Sequence, residues 1–314
     1  MKKAAVFILF AIFSLFADIK PIEDIKINGA VLDMVVVGDN VYVATDKSKV
    51  IVYDLNLKML QEIKVRKIKD FVGELIDSDI YSVDVIDKKV LLLAQAEDGY
   101  SELFIYEDGK LEKVLDKSLM FYAKAAKFVD KDSVIMALMS DEVVLYNIRD
   151  KKVVYKKSAG EYFFSAMAIN KARTKVVIGD EGGEVVVLDT KTGDVIKKFV
   201  DINKDKILSL SINQDFVTAG GRDQTLVIYN LNLGTNKKIK GEFFVYVVSI
   251  SPSSSLIAYG DNEKYDIKVI DSINLDRKFL LKGHKNIINK IVFINDNILI
   301  SGSESGEIKK WRLK

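Results

Sequence analysis

The sequence of 314 residues contains no cysteine and a single histidine, His284. Without cysteine the chain forms no disulfide bond, so its stability must come from a buried core. A metal site built from His and Cys ligands is excluded by ligand count. A serine hydrolase is also disfavoured, because only His284 could serve as its base and no G-x-S-x-G motif is present.

The chain has no dense run of one charge. Lys and Arg number 47 against 45 Asp and Glu, which gives a formal net charge of +2. The lysines lie beside strand-like segments or in hairpin loops, a placement typical of solvated faces and protected sheet edges. Nucleic-acid binding needs a clustered basic patch and is therefore not expected.

The apolar run at residues 4–16 is too short for a comfortable membrane span, which needs about 20 residues. It follows the basic start Met1-Lys2-Lys3 and ends before Ala17. This pattern predicts a secretory signal peptide at residues 1–17, cleaved after Ala17, and a periplasmic protein formed by residues 18–314. An uncleaved membrane anchor is the alternative interpretation. A lipid anchor on an N-terminal cysteine is excluded, because the chain has none.

One strand-like segment returns seven times along the chain. Apart from a longer first gap of 53 residues, the copies are 40 to 42 residues apart. A period near forty residues in a strand-rich sequence is typical of a β-propeller with one four-stranded blade per repeat. The predicted fold is therefore all-β, a single seven-bladed propeller domain over residues 18–314. The fifth residues of the copies are Tyr53, Tyr106, Tyr146, Leu188, Tyr229, Ile270 and Trp311.

The last repeat lacks a fourth strand of its own, because the sequence stops three residues after Trp311. An unassigned strand-like segment, residues 22–27, precedes the first repeat. We expect this segment to complete blade seven and close the ring. Closure would remove two exposed sheet edges that otherwise invite aggregation.

The repeats resemble those of the WD40-type propeller family over about residues 19–314. The family's Gly-His pair appears once and supplies His284, and its terminal Trp-Asp dipeptide keeps the tryptophan only at Trp311. The family's buried aspartate before the third strand appears as Asp223 in blade five, whereas Ser305 takes its place in blade seven. The resemblance implies structural roles for His284, Asp223 and Trp311, with the His–Asp–Trp network complete in no blade.

Aromatic pairs occupy the loops before the first strands of blades three, four and six, where the other blades mostly have small or polar residues. In propellers these loops meet on one face around the channel mouth. The pattern therefore predicts a partner-binding patch. Burial of each pair against a neighbouring blade is the alternative, because paired aromatics beside a strand are common in cores. The six residues are Phe121, Tyr122, Tyr162, Phe163, Phe243 and Phe244.

An insertion near residues 64–77 accounts for the longer first gap and lies in the same class of loop. Long insertions on a scaffold often carry function. Arg66, Lys67 and Phe71 are therefore further candidate partner contacts. The segment begins basic and ends acidic and apolar, so a decorated outer strand is the alternative.

These features predict a non-enzymatic, monomeric periplasmic scaffold that binds another protein and needs no metal or cofactor. Its size, signal peptide and degenerate ring resemble the NapL family, accessory proteins of periplasmic nitrate reductase systems. That resemblance implies a reductase subunit as partner and a role in its maturation. Two other functions stay open. One is a small-ligand-binding or lactonase-like hydrolytic propeller that uses the central channel, and the other is a scaffold for outer-membrane assembly.

Overall fold

Each repeat of the sequence folds into one four-stranded antiparallel sheet in the computed structural model, which describes residues 18–314. The segment that recurs in the sequence is the third strand of every blade. Blade one consists of β3 (Val31–Val37), β4 (Asn40–Thr45), β5 (Lys49–Asp54) and β6 (Met59–Lys64), and blade two of β9 (Ile80–Ile86), β10 (Lys89–Gln95), β11 (Ser101–Glu107) and β12 (Lys110–Leu115). Blade three consists of β13 (Ala123–Asp130), β14 (Ser133–Leu138), β15 (Glu142–Asn147) and β16 (Lys152–Ser158). Blade four consists of β17 (Phe164–Ile169), β18 (Lys175–Asp180), β19 (Val185–Asp189) and β20 (Val195–Phe199).

The remaining three blades include both strands at the start of the described chain. Blade five consists of β21 (Ile207–Ile212), β22 (Phe216–Gly221), β23 (Thr225–Asn230) and β24 (Asn236–Lys240). Blade six consists of β25 (Val247–Ile250), β26 (Leu256–Gly260), β27 (Ile267–Asp271), β28 (Arg277–Leu281) and the N-terminal β1 (Asp18–Ile19). Blade seven consists of β29 (Ile288–Asn295), β30 (Ile298–Ser303), β31 (Glu307–Arg312) and the N-terminal β2 (Glu23–Lys26). A separate hairpin, β7 (Ile68–Lys69) and β8 (Leu75–Ile76), lies between blades one and two, and single 3₁₀ turns occur at Glu97–Gly99 and Lys117–Leu119. No helix within residues 18–314 is long and apolar enough to cross a membrane.

The first strands of neighbouring blades contact one another around a closed circle, which ends with β29 against β3. Buried apolar side chains form seven clusters, and each cluster lies between two adjacent blades. The core is therefore shared between neighbours, and no blade buries its apolar faces alone. This arrangement confirms the predicted seven-bladed β-propeller.

The ring closes where β2 pairs antiparallel with β31, as the unassigned segment at residues 22–27 predicts. Ile25 lies opposite Ile308 in this pairing, and both belong to the apolar cluster between blades seven and one. Lys309 Nζ binds Asp24 Oδ2 at 2.6 Å on the other side of the strand. Gly306, at φ +82°, is required at the turn, because a Cβ atom there would lie 2.4 Å from the carbonyl oxygen of Gly29.

A second N-terminal strand was not predicted from the sequence. β1 pairs parallel with β28 and adds a fifth strand to blade six. The amide of Lys282 donates to the carbonyl of Ile19 at 3.0 Å, and its Nζ lies 2.9 Å from Asp18 Oδ2. Residues 18–26 thus hold blades six and seven together. The predicted signal peptide at residues 1–17 lies outside the described residues.

A buried ion cluster joins four blades at the central channel. Asp33 on β3 is 4% exposed, and its Oδ2 accepts hydrogen bonds from Lys127 Nζ at 2.7 Å and from Ser82 Oγ at 3.1 Å. Its Oδ1 lies 2.8 Å from Lys290 Nζ. Burial alone would raise the pKa of Asp33, but the two lysines outweigh burial and hold that pKa well below its usual range.

A second polar clamp reaches across blade three. Arg173, in the loop between β17 and β18, donates from Nη1 to Asp84 Oδ2 at 2.5 Å and to the carbonyl of Phe128 at 2.7 Å. Asp84 belongs to blade two and Phe128 to blade three, so one guanidinium bridges three consecutive blades. Arg173 Nη2 also donates to Asp84 Oδ1 at 3.1 Å, and this bidentate pairing fixes geometry as well as charge.

Ring closure predicts a large effect for Ile25→Asp. The change removes an apolar contact and places a carboxylate in the cluster between blades seven and one, so we expect the free energy of unfolding to fall by roughly 2–4 kcal/mol. Urea denaturation followed by circular dichroism measures it. Glu23→Gln, at an exposed position of the same strand, should stay within about 0.5 kcal/mol of wild type. Equal stability of Ile25→Asp and wild type would contradict closure by β2.

The channel cluster predicts that Lys127→Met is strongly destabilising. Asp33 would remain buried with one lysine, and breaking a buried pair in this way costs roughly 3–5 kcal/mol. The double variant Asp33→Leu/Lys127→Met should recover much of that loss, since it also removes the buried carboxylate that Lys127 helps to neutralise. Both are measured by urea denaturation at neutral pH. A single variant as stable as wild type would show that the cluster contributes little.

Candidate partner-binding face

Two classes of loop lie at the same end of the ring, because successive strands in each blade are antiparallel. These are the connections into the first strand of each blade and the loops between the second and third strands. We call this end the loop face. The structure places all six predicted aromatic residues in its connections, before β13, β17 and β25.

The six aromatics divide into exposed and half-buried side chains. Tyr122, Tyr162 and Phe163 are 43%, 53% and 62% exposed. Phe121 is half-buried and packs against the apolar cluster between blades two and three. The two phenylalanines of blade six are also half-buried. Both interpretations of the pattern therefore describe part of the set, and blade four alone presents its whole pair to solvent.

The exposed side chains continue across blades three and four as an apolar arc. Backbone hydrogen bonds link its loops: the amide of Met139 donates to the carbonyl of Tyr122 at 2.9 Å, and the amide of Phe164 to the carbonyl of Met139 at 3.1 Å. The Tyr162 ring lies against Gly182, where a Cβ atom would be 2.4 Å from the ring. These contacts hold the loops in place. The arc consists of Leu119, Met120, Tyr122, Met139, Tyr162 and Phe163.

Sequence comparison of the loop columns missed three members of the arc. Leu119 and Met120 end the 3₁₀ turn before β13, and Met139 lies between β14 and β15. Asp116 caps that turn by accepting from the amide of Ser118 at 2.8 Å. These residues fall outside the aligned column. An apolar residue in a loop otherwise made of polar residues is the signal that could have identified them.

The insertion forms a free-standing hairpin. Among the described residues, β7 and β8 pair with each other and add no strand to a blade, which argues against a decorated outer strand. At the tip, Asp70 Oδ1 accepts hydrogen bonds from the amides of Val72 at 3.0 Å and Glu74 at 2.8 Å. The tip is thus ordered by its own bonds. It presents Phe71, which is 99% exposed, together with Val72 at 65%.

The hairpin adjoins the arc through the loop of blade two. Lys117 Nζ donates to Glu97 Oε2 at 3.0 Å and, together with the nearby backbone of Lys69 at the end of β7, holds the pKa of Glu97 below its usual range. Three residues further, the ring of Tyr100 packs on that of Tyr122 with 4.5 Å between centroids. The hairpin and the arc are therefore neighbours on one face.

The two basic candidates in the insertion make ion pairs within the protein. Arg66 Nη2 lies 3.3 Å from Glu102 Oε1, and Lys67 Nζ lies 3.3 Å from Asp77 Oδ1. Both stay more than half exposed, but their charges are already matched. Of the three predicted insertion contacts, Phe71 is the apolar one, and its side chain is 99% exposed.

The aromatic pair of blade six is separated from the arc by a polar loop of blade five. Phe243 and Phe244 pack on each other at 4.5 Å between ring centroids, and the guanidinium of Arg222 lies 6.0 Å from the second ring. Between this pair and blade four, Lys206 Nζ binds Glu181 Oε1 at 2.9 Å. The structure does not join the six predicted residues into one apolar patch.

The structural residues of blade seven are linked by a serine that the sequence comparison missed. Ser301 Oγ accepts from Trp311 Nε1 at 2.8 Å and lies 2.6 Å from His284 Nε2. Glu307 Oε2 is 3.4 Å from His284 Nδ1, close to where the family's aspartate is expected. Burial, and then the charge of Lys309, lowers the pKa of His284 to about 4, so this imidazole is neutral at pH 7.

Blade five holds Asp223 in a related arrangement. Its two carboxylate oxygens accept from the amides of Lys204 at 2.8 Å and Thr225 at 3.0 Å. Nearby, Tyr229 Oη donates to Asn203 Oδ1 at 2.8 Å. Asp223 thus orders the turn that precedes the third strand.

The central channel offers little to the ligand-binding hypothesis. Asp33, on the first strand of blade one, is bound by two lysines, and its depressed pKa makes it a weak general base. A groove of about 530 Å³ lies instead between blades five and six, at the end opposite the loop face. Within residues 18–314 no group of three or more His, Asp or Glu side chains is placed to hold a metal ion.

Comparison with known proteins agrees with the fold. A family model described as "WD domain, G-beta repeat" matches residues 276–312. "Restriction of telomere capping protein 1" from Clavispora lusitaniae (strain ATCC 42720) is 28% identical over 94 residues, which are 29% of this chain and 8% of that relative. The chain thus spans less than a tenth of the length of the curated relative that it matches.

A solved structure covers nearly the whole ring. The β-propeller domain of Myceliophteria thermophila Cps50 (Swd1) aligns with a TM-score of 0.76 and 15% identity, over 94% of this chain and 99% of that chain. At this identity the likeness shows the fold alone. These matches give no support to the resemblance to the NapL family. The chain is therefore a seven-bladed β-propeller that carries a WD40 repeat at residues 276–312.

Proposed function

We propose that this protein is a non-enzymatic scaffold that binds another protein through the apolar arc and the tip of the β7–β8 hairpin, together called the binding surface. The observation that supports this most is the exposure of Phe71, Tyr162 and Phe163 on loops that hydrogen bonds hold in place. Apolar side chains that are exposed together on one face often mark interaction sites, whereas single scattered ones are normal on any protein surface.

The order of these loops favours binding. A loop that is already fixed loses little conformational entropy when a partner docks, so more of the burial energy appears as affinity. Aromatic anchors contribute most to such interfaces, because each buries a large area with few rotatable bonds. WD40 propellers generally mediate contacts between proteins, which agrees with this role.

Export to the periplasm and a nitrate reductase partner remain predictions from the sequence. Export depends on residues 1–17, and the reductase role depends on the resemblance to the NapL family. A deletion strain with normal nitrate reduction would contradict the reductase role and leave the scaffold proposal standing.

The binding surface predicts the outcome of a pull-down from an extract of native cells. The triple variant Phe71→Ala/Tyr162→Ala/Phe163→Ala should lose at least about tenfold in captured partner, since truncating one hot-spot aromatic costs about 2 kcal/mol. Mass spectrometry identifies the proteins that wild type captures. Circular dichroism should show that the variant stays folded, because all three side chains are more than half exposed.

The matched control is Leu233→Ala/Ile273→Ala. These residues are 74% and 77% exposed at the opposite end of the ring, so their removal tests apolar exposure as such. The control should capture the same proteins as wild type. If the triple variant also captures them undiminished, the binding surface is wrongly assigned.

A further inference from the structure

Three carboxyl groups meet in the seam between blades three and four. Asp141 lies between β14 and β15, Asp180 ends β18, and Glu184 precedes β19. The two aspartates are each 2% exposed. A Cβ atom on Gly160 would lie 2.5 Å from Asp141 Oδ2, 3.1 Å from Asp180 Oδ2 and 3.4 Å from Glu184 Oε2. Oxygens from all three groups therefore converge on one buried point.

The cluster has more negative charge than its partners can neutralise. Glu184 Oε2 pairs with Lys198 Nζ at 2.7 Å. Asp180 Oδ1 accepts from the amides of Gly182 and Glu184, both at 2.9 Å. Within the described chain, Asp141 Oδ1 and Asp180 Oδ2 are buried without a hydrogen-bond partner. One cation thus faces three carboxyl groups, and like charges at such a site cannot all ionise.

A proton on Asp141 resolves this excess. It removes one negative charge and turns an unpaired acceptor into a donor beside other carboxylate oxygens. The charged groups that face Asp141 from blade four are Asp180, Glu184 and Lys198. On its own blade, the adjacent Glu142 is already matched by Lys156 at 3.0 Å. Burial first, and then the charges of Asp180 and Glu184, raises the pKa of Asp141 to about 7.

The same seam carries part of the apolar arc. Met139 lies two residues before Asp141, and its carbonyl accepts a hydrogen bond from the amide of Phe164 in the next blade. Gly182, whose amide is held by Asp180, lies against the ring of Tyr162. Any movement that separates the carboxyl groups therefore displaces the loops that carry exposed arc residues.

We propose that a proton held by Asp141 keeps the seam of blades three and four closed, and that its loss loosens the loops that present Met139, Tyr162 and Phe163. The folded protein holds this proton above the ordinary aspartate pKa of 3.8. The stability that this proton contributes is therefore fully present below the ordinary pKa of 3.8 and is lost as the pH rises through about 7. The effect on partner binding rests on the proposed function, whereas the effect on the seam does not.

Hydrogen exchange of the purified protein tests the seam without any partner. Amide exchange is measured by mass spectrometry between about pH 6 and pH 8.5, with rates corrected for their intrinsic pH dependence. In wild type, protection of peptides covering residues 138–142 and 159–184 should fall by about tenfold at the higher pH. Asp141→Asn, which is permanently neutral, should keep its protection across this range.

The matched control is Asp98→Asn, which neutralises an exposed aspartate on the same face and should keep the wild-type pH dependence. An identical pH dependence in wild type and Asp141→Asn would overturn the proposal. If Asp141→Asn fails to fold, carbon-13 NMR of wild-type carboxyl groups decides. An aspartate that titrates near pH 7 supports the proposal, and the absence of one overturns it.

The pull-down at the same two pH values separates this inference from the proposed function. We expect wild type to capture several-fold less partner at about pH 8.5 than at about pH 6, and Asp141→Asn to capture equal amounts. If capture is equal for wild type at both pH values but is lost in the triple alanine variant, the proton-dependent seam is wrong and the binding surface stands.

Discussion

The pairing of β2 with β31 is the constraint on which the rest of the ring depends. Every apolar cluster of the core lies between two blades, so each blade needs both neighbours to bury its faces. Without β2, blade seven would present the free edge of β31, and the cluster around Ile25 and Ile308 would open on one side. The channel cluster supports the same joint, because Lys290 of blade seven binds Asp33 of blade one. Closure therefore depends on a strand, an apolar cluster and an ion pair together.

Two buried aspartates in this ring show how partners decide what a charge does. Asp33 is surrounded by two lysines, a hydroxyl and an amide, so its charge is matched and it holds blades together at any physiological pH. Asp141 is equally buried but faces two further carboxyl groups and a single lysine that one of them already binds. The first aspartate makes the channel rigid. The second leaves a seam whose stability depends on a proton, because neutralisation is the remaining way to satisfy it.

The period of the sequence predicts the blades, and the missing last strand predicts that residues 22–27 close the ring. Burial of the loop aromatics was not predictable, since Phe121 and Tyr122 are adjacent in sequence yet one packs into the core and the other faces solvent. Phe121 packs on the cluster between blades two and three, whereas the ring of Tyr122 packs on Tyr100 of blade two. The pairing of Asp141 with Asp180 was not predictable either, because the two residues belong to different repeats and meet only in the seam between blades three and four. A two-residue strand such as β1 has no pattern to detect.

The uneven distribution of loop chemistry follows from the ring's rigidity. Because the core clusters and polar clamps fix the blades, a loop can differ from the repeat without altering its neighbours. Here those departures lie side by side: the hairpin tip at Phe71 adjoins blade two, and the arc continues over blades three and four to Phe163. Blade five then interrupts it with the Lys206–Glu181 ion pair. A partner that docks here covers one side of the loop face, directly above the seam that contains Asp141. Proton release in that seam would therefore weaken the interface at its centre while the ring itself stays closed.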